Sequence, residues 1–286
     1  MKKVIVIVGP TASGKTMYSV KLAKAIGAEV INGDSVQIYK ELNIGSAKIK
    51  EEEKEGINHH LFDMVSIDND YSVFNFQQDA RKMINDIKIP MIVGGTGFYI
   101  KSALYDYEFN KENSKYSFDD LTNEEIYSKL IEIDKNIEID KNNRHRLVRA
   151  LELALNGNLR SEKNNKDIPL YDILTIYLDI DRKELKKRLI KRLEIQLSDG
   201  FIDEVISLRN QDKHLNIIGY RELDLYLDGK ITLEEALEEI VKVSMRFAKR
   251  QKTWFMNQME AIPFDPLNHK SYDEMLEVIS KFLKEE

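Results

Sequence analysis

Along its first hundred residues the chain alternates between short apolar runs and amphipathic stretches. Lys3 to Val8 is apolar from Val4 onward with no polar alternation, the pattern of a strand covered on both faces. A Gly-rich turn follows, then a predicted helix from about Lys15 to Ile26. Ala28 to Asn32 reads as a second strand that ends at Gly33-Asp34. Tyr71 to Ile87 carries apolar residues at 73, 76, 80, 83, 84 and 87, one face of a helix, and Pro90 stops it. Met91-Ile92-Val93 is a third buried strand, Gly94-Gly95-Thr96-Gly97 ends it, and Phe98 to Leu104 starts another helix. Strands and helices in alternation predict an α/β fold, a P-loop NTPase-like parallel sheet with helices on both faces.

The pattern then changes. Tyr107 to Asp120 is polar and turn-rich, and helical spacing returns at about Asn123 to Glu132 and Asn143 to Leu155. Asn156-Gly157-Asn158 stops the second of these, and Ser161 to Asp167 is polar again. Tyr171 to Leu178 resumes the apolar, β-branched strand pattern, and 182–209, 219–227, 233–258 and 271–284 read as helices. The chain therefore divides into a catalytic core, 1–107 and 169–286, and a small helical insertion, 108–168. No stretch approaches the 18 apolar residues of a membrane span, and the first apolar run is too short for a signal peptide, so no membrane association is expected.

Composition adjusts this picture in two ways. With no cysteine among 286 residues, disulfides and thiolate metal sites are excluded, which fits a reducing cytoplasm. The net charge of −6 argues against a nucleic-acid binder if taken as a sum, but the charge is unevenly placed. Arg182 to Arg192 holds seven Lys or Arg against one Glu, Arg144 to Arg149 holds three Arg and a His, and Arg246 to Lys252 holds four basic residues. Such stripes can bind phosphates on an otherwise acidic molecule, although a single stripe is more often a solvated helix face.

The candidate chemistry lies at strand ends. Gly9-Pro10-Thr11-Ala12-Ser13-Gly14-Lys15-Thr16 fits G-x-x-x-x-G-K-[ST] between a strand and a helix, where backbone N–H groups, the helix N-terminus and Lys15 face a pyrophosphate or nucleotide, and the Thr16 hydroxyl can hold Mg²⁺. Asp34 follows the second strand. A carboxylate there can hold Mg²⁺ or take a proton from a nucleophile, or simply cap the next helix. Thr96, in the glycine turn after the third strand, can donate to a phosphate oxygen. By spacing alone a small-molecule kinase leads, although the third strand ends in Gly94 rather than in the carboxylate that phosphoryl transfer favours. A non-catalytic P-loop RNA-binding protein would leave Asp34 and Thr96 without a task.

In order, these motifs closely resemble the tRNA dimethylallyltransferases, also called tRNA isopentenyltransferases. The resemblance runs through the phosphate loop, Asp34-Ser35-Val36-Gln37-Ile38-Tyr39, Ile44-Gly45-Ser46-Ala47-Lys48, His59-His60-Leu61 with Asp63, Tyr71-Ser72-Val73 and Gly94-Gly95-Thr96-Gly97-Phe98-Tyr99. It continues in Arg146-Leu147-Val148-Arg149-Ala150-Leu151-Glu152 and Ile218-Gly219-Tyr220-Arg221-Glu222, and closes on Ala248-Lys249-Arg250-Gln251-Lys252-Thr253-Trp254-Phe255. The chain departs from the family at Asp140-Lys141, where His-Pro is usual, at Ser244-Met245-Arg246, at Phe98, in a shorter insertion, and in lacking the zinc finger of the eukaryotic relatives.

The resemblance implies transfer of a dimethylallyl group from dimethylallyl pyrophosphate to N6 of the adenine 3′ of the anticodon, in tRNAs reading codons that start with U. It implies that the phosphate loop grips pyrophosphate with Mg²⁺ at Thr16. Asp34 would act as general base, Thr96 would bond to the leaving oxygen, and Lys15 and Arg192 would neutralise pyrophosphate. It places tRNA contacts at Asp34, Ser35, Val36, Gln37 and Thr96, at His145, Arg146, Leu147, Val148 and Arg149, and at Asn216, Ile217, Ile218, Gly219, Tyr220 and Arg221. A cytoplasmic monomer is expected.

Overall fold

The computed structural model describes residues 1–109, 116–162 and 167–285; parts of the polar stretches 107–120 and 161–167 lie outside the described residues. The chain forms two units, Met1–Tyr105 with Pro169–Glu286, and Asp106–Ile168.

The larger unit is built on a six-stranded parallel sheet: β1 (Lys3–Val8), β2 (Glu29–Asn32), β3 (His59–His60), β4 (Pro90–Gly94), β5 (Asp172–Leu178) and β6 (Ile262–Phe264), ordered β3-β2-β4-β1-β5-β6. The apolar run of β1 has its cause here, for Val4 to Val8 are all 0% exposed. Val4, Val6 and Val8 pack with Phe76, Ala80 and Ile84 of helix α2 (Val73–Asp86), Ile100 of α3 (Gly97–Leu104) and Phe255 of α9 (Leu233–Gln258). Ile5 and Ile7 belong to a second cluster, with Leu22 and Ala23 of α1 (Lys15–Ile26) and Met275 and Ile279 of α10 (Ser271–Lys284). A strand with no wet face shows no period of two, and each such side chain contributes about 1.5–3 kcal/mol on burial.

The elements read from the pattern form within a residue or two of their predicted ends, except for one predicted helix that is divided, and the short 3-10 turn at Glu51–Lys54 was not read. The two- and three-residue edge strands β3 and β6 carry no period to read. The predicted helix 182–209 is two helices, α6 (Arg182–Ser198) and α7 (Phe201–Arg209), separated by Asp199 and by Gly200 at φ 98°, a left-handed turn that glycine takes without steric cost. With α8 (Tyr220–Leu227) and α9 they enclose a third apolar cluster around Phe201, Val205, Tyr220 and Leu223.

The smaller unit is a helical hairpin of α4 (Asn123–Ile133) and α5 (Arg144–Leu155) around Ile126, Leu130, Leu147, Leu151 and Ala154. A capping box starts α4, with Glu125 Oε2 accepting from the Thr122 N–H at 2.7 Å and Thr122 Oγ1 from the Glu125 N–H at 3.3 Å. The Arg144 guanidinium donates to the Leu121 and Phe118 carbonyls at 2.7 and 2.8 Å, so this member of the basic stripe braces the hairpin. Among the described residues, no helix is long and apolar enough to cross a membrane.

Candidate active site

In a parallel sheet the loops after the strands gather at one edge. Because β4 lies between β1 and β2, the turns that begin at Gly9, Gly33 and Gly94 become neighbours. Gly94 makes this approach possible, since a Cβ there would lie 2.2 Å from the Gly33 carbonyl group. A cavity of about 900 Å³ opens beside these turns, lined by Lys15, Thr16, Asp34, Gln37, Arg188 and Arg192 among others.

The loop from Gly9 to Thr16 curls as its sequence predicts. Ala12 sits at φ 66° and Gly14 at φ 96°. Lys15 Nζ donates to the Gly9 and Pro10 carbonyls, both at 2.9 Å. Ser13 is buried, and its hydroxyl has no partner among the described residues. Burial lowers the Lys15 ammonium to about 8; Asp34 opposes that shift and Arg192 adds to it. Arg192 is likewise lowered to about 10 by burial, again opposed by Asp34. Two cations and one carboxylate therefore share one poorly solvated space.

Asp34 sits in a fixed turn. Its N–H donates to Asn32 Oδ1 at 2.9 Å, its Oδ1 accepts from the Val36 N–H at 2.9 Å, and its carbonyl accepts from Asn32 Nδ2 at 3.1 Å. Asn32 is 0% exposed and also donates to the Leu61 carbonyl at 3.0 Å. The helix-cap alternative for Asp34 is overturned, because no helix begins here; the nearest, at Glu51–Lys54, is a single 3-10 turn. Thr96 joins this group through Ser35: the Ser35 N–H donates to Thr96 Oγ1 at 3.0 Å, and Thr96 Oγ1 donates to Ser35 Oγ at 3.2 Å.

The far wall is α6. Arg192 donates to the Ser46 carbonyl at 3.1 Å, and Gln196 to the Ile44 and Gly45 carbonyls at 2.6 and 2.9 Å. Gln37 Nε2 reaches the same loop at the Ser46 carbonyl, 3.1 Å away. Arg188, Arg192 and Gln196 recur every four residues, so one face of α6 looks into the cavity. Arg188 was legible from that spacing, one turn before Arg192. Asn32 had no signal beyond its place at a strand end.

The residues expected at tRNA divide by exposure. His145 and Arg146 are exposed and Arg149 partly so, with Arg149 paired to Glu152 at 3.1 Å. Asn216 and Arg221 are exposed and bonded to each other at 3.2 Å. Ser35 and Val36 are half-buried, and Val148, Ile217 and Ile218 pack against their units' cores. Leu147 at 0% exposed and Tyr220 at 2% are corrections: their side chains are core, and the Tyr220 hydroxyl donates to Glu204 Oε1 at 2.6 Å. Gly219 is also buried.

The Thr16 hydroxyl and the Asp34 carboxylate are hard oxygen donors on the cavity wall, and among the described residues no group of three or more His, Asp or Glu converges as a metal site. This set fits Mg²⁺, which keeps several waters and is commonly held by one or two protein oxygens together with substrate phosphates.

A strand–Gly-x-x-x-x-Gly-Lys-Thr–helix unit at the edge of a parallel sheet defines the class: a phosphate-loop α/β protein. Comparison with known proteins makes this particular. The profile of the family described as IPP transferase matches residues 37–258, and the chain belongs to that family. It is 52% identical over 283 residues to a tRNA dimethylallyltransferase of Acholeplasma laidlawii, covering 99% of both chains. It is 43% identical over 286 residues to one of Phytoplasma australiense, again covering 99% of both. Among solved structures, a tRNA delta(2)-isopentenylpyrophosphate transferase from Staphylococcus epidermidis superposes at TM-score 0.74 with 37% identity, covering 99% of each chain. A eukaryotic dimethylallyltransferase acting on tRNA superposes at TM-score 0.85 with 27% identity, covering 99% of this chain and 80% of the other.

Proposed function

We propose that this chain transfers a dimethylallyl group from dimethylallyl pyrophosphate to tRNA, at N6 of the adenine 3′ of the anticodon (position 37) in tRNAs reading codons that start with U, acting in the cytoplasm as a monomer with Mg²⁺. The observation that carries this reading is the meeting of Lys15, Arg192 and Asp34 in one cavity of a chain that belongs to the IPP transferase family. A kinase would share the phosphate loop. A kinase could also use a positioned carboxylate as a base, and membership of the IPP transferase family is what favours prenyl transfer.

The step balances as follows. The adenine N6 lone pair forms a bond to C1 of the dimethylallyl group. The C1–O bond breaks, and its electron pair leaves with pyrophosphate. One N6 proton passes to Asp34, whose Oδ1 is already engaged by the Val36 N–H, so Oδ2 receives it. Charge grows on the leaving oxygens, which the loop N–H groups, Lys15, Arg192 and the Thr96 hydroxyl would stabilise, Thr96 by exchanging its bond to Ser35 Oγ for one to the leaving oxygen. The Thr16 hydroxyl would hold Mg²⁺, whose positive charge would oppose the charge growing on the pyrophosphate.

The test incubates the protein with an anticodon stem-loop and either dimethylallyl pyrophosphate labelled in its prenyl group or ATP labelled in its γ-phosphate. Label in RNA from the first and none from the second is expected. No prenyl label in RNA, with γ-phosphate passed to a small acceptor, supports the kinase and removes this reading.

A further inference from the structure

We propose that Gln251 of α9 is a positioning residue that holds Thr96 in place for the reacting group, an inference that rests on the leaving-oxygen role given to Thr96 above. Gln251 is 6% exposed, and its Nε2 donates to the Gly95 carbonyl at 2.9 Å. The orientation of its amide is settled by that partner, since the opposite one would set two acceptors against each other. The other end of the amide is the informative one. Gln251 Oε1 is buried and accepts no hydrogen bond from the described residues. A buried acceptor without a donor destabilises a fold, and an apolar side chain of the same length would avoid that cost. The amide's contribution lies in its donor, which satisfies the buried Gly95 carbonyl and fixes the peptide group that leads directly into Thr96.

The glycine turn is shaped around this contact. A Cβ at Gly95 would lie 2.5 Å from Gln251 Nε2, and one at Gly97 would lie 2.3 Å from the Trp254 ring. Residues 251 and 254, neighbours on one face of α9, thus press on either side of Thr96. From the other direction the Thr96 N–H donates to the Gly33 carbonyl at 3.1 Å, and its hydroxyl is paired with Ser35. Thr96 is held between α9 and the turn that carries Asp34. The Arg-Gln-Lys-Thr-Trp tail of the sequence acquires a physical task here, as a clamp on the glycine turn.

Gln251→Met keeps the length and apolar stem while removing the donor. Because it removes the unpartnered Oε1 but also leaves the buried Gly95 carbonyl without a donor, it should melt close to the wild-type temperature, leave KM for dimethylallyl pyrophosphate within about threefold, and lower kcat by about tenfold or more, since small misplacements of a reacting geometry are costly. In a Thr96→Val background the same change should cost less than about threefold, because the group it positions is gone. Hydrogen exchange of the Gly94–Gly97 amides should quicken in Gln251→Met, a readout that needs no turnover. Gly95→Ala, whose methyl displaces the Gln251 amide, should reproduce the kcat loss, and it stands as the test if Gln251→Met folds poorly. Wild-type kcat in both variants, unchanged exchange at Gly94–Gly97, or a full loss persisting without the Thr96 hydroxyl would each overturn the proposal. Wild-type protein runs in the same assay: failure of transfer there removes the proposed function, and the exchange measurement then decides the clamp by itself.

Discussion

At the scale of single residues, the site is governed by how little water reaches three charges. Lys15 is lowered to about 8 by burial, and a bound pyrophosphate restores the favour for its charged form. Donor binding should therefore take up a proton between about pH 8 and the ordinary lysine value of 10.5, with affinity flat below that window and falling across it. For folding the sign is opposite. The unfolded chain holds the Lys15 proton up to 10.5 and the folded one loses it near 8, so this residue's contribution to stability rises with pH across the same window. Calorimetry of inorganic pyrophosphate binding in two buffers of unlike ionisation enthalpy should show the proton at about pH 9, and not in Lys15→Met. Asp34 makes a second prediction. Asp34→Asn preserves the turn with Asn32 and Val36 but cannot accept the N6 proton, so single-turnover transfer should slow by about 10²-fold or more while donor affinity changes little. If raising Mg²⁺ restores the rate, the carboxylate positions the metal and is not the base.

At the scale of elements, the catalytic edge depends on backbones approaching where side chains do not fit. The most demanding approach is that of Gly94 to Gly33, where the obstacle to a Cβ is the carbonyl group of a neighbouring strand end. No rotamer can relieve it. Gly94→Ala should cost more than the about 1–3 kcal/mol typical of overpacking and should abolish transfer along with stability, as urea unfolding and the transfer assay would show. Much at this scale was legible in the sequence. The phosphate loop, the helix that follows it and the strand ends at Asp34 and Thr96 stand where the pattern put them. The break at Gly200 was not legible, because apolar spacing continues through it; nor were β3 and β6, which pair only because β2 and β5 already offer free edges.

At the scale of the whole molecule, a protein of net charge −6 is proposed to bind a polyanion, and this requires that binding be carried by local stripes. tRNA affinity should fall steeply with added salt, since every neutralised phosphate releases a counterion. Replacing Arg146 and Arg149 with Gln should weaken tRNA binding and flatten the slope of log Kd against log salt by about 1–2 over roughly 50 to 200 mM, leaving donor affinity alone. Arg144→Gln should instead lower the melting temperature, because its guanidinium braces the Phe118 and Leu121 carbonyls. Three arginines within six residues thus divide between surface and scaffold, a distinction their sequence does not carry.

The sequence by itself determined what depends on neighbours along the chain. Continuous apolar runs specify strands that are wet on neither face, the spacing at 73, 76, 80, 83 and 84 specifies a helix face, and glycines before Lys15 specify a loop that turns its N–H groups toward an anion. The tertiary structure decided what depends on neighbours across space. It buried Leu147 and Tyr220 and brought Arg188 and Arg192 from residue 180 onward to face Lys15 and Asp34. It also set Gln251 against Gly95, 156 residues away. Burial and partnership are properties of packed surfaces, and no local pattern encodes which carbonyl a distant amide will meet.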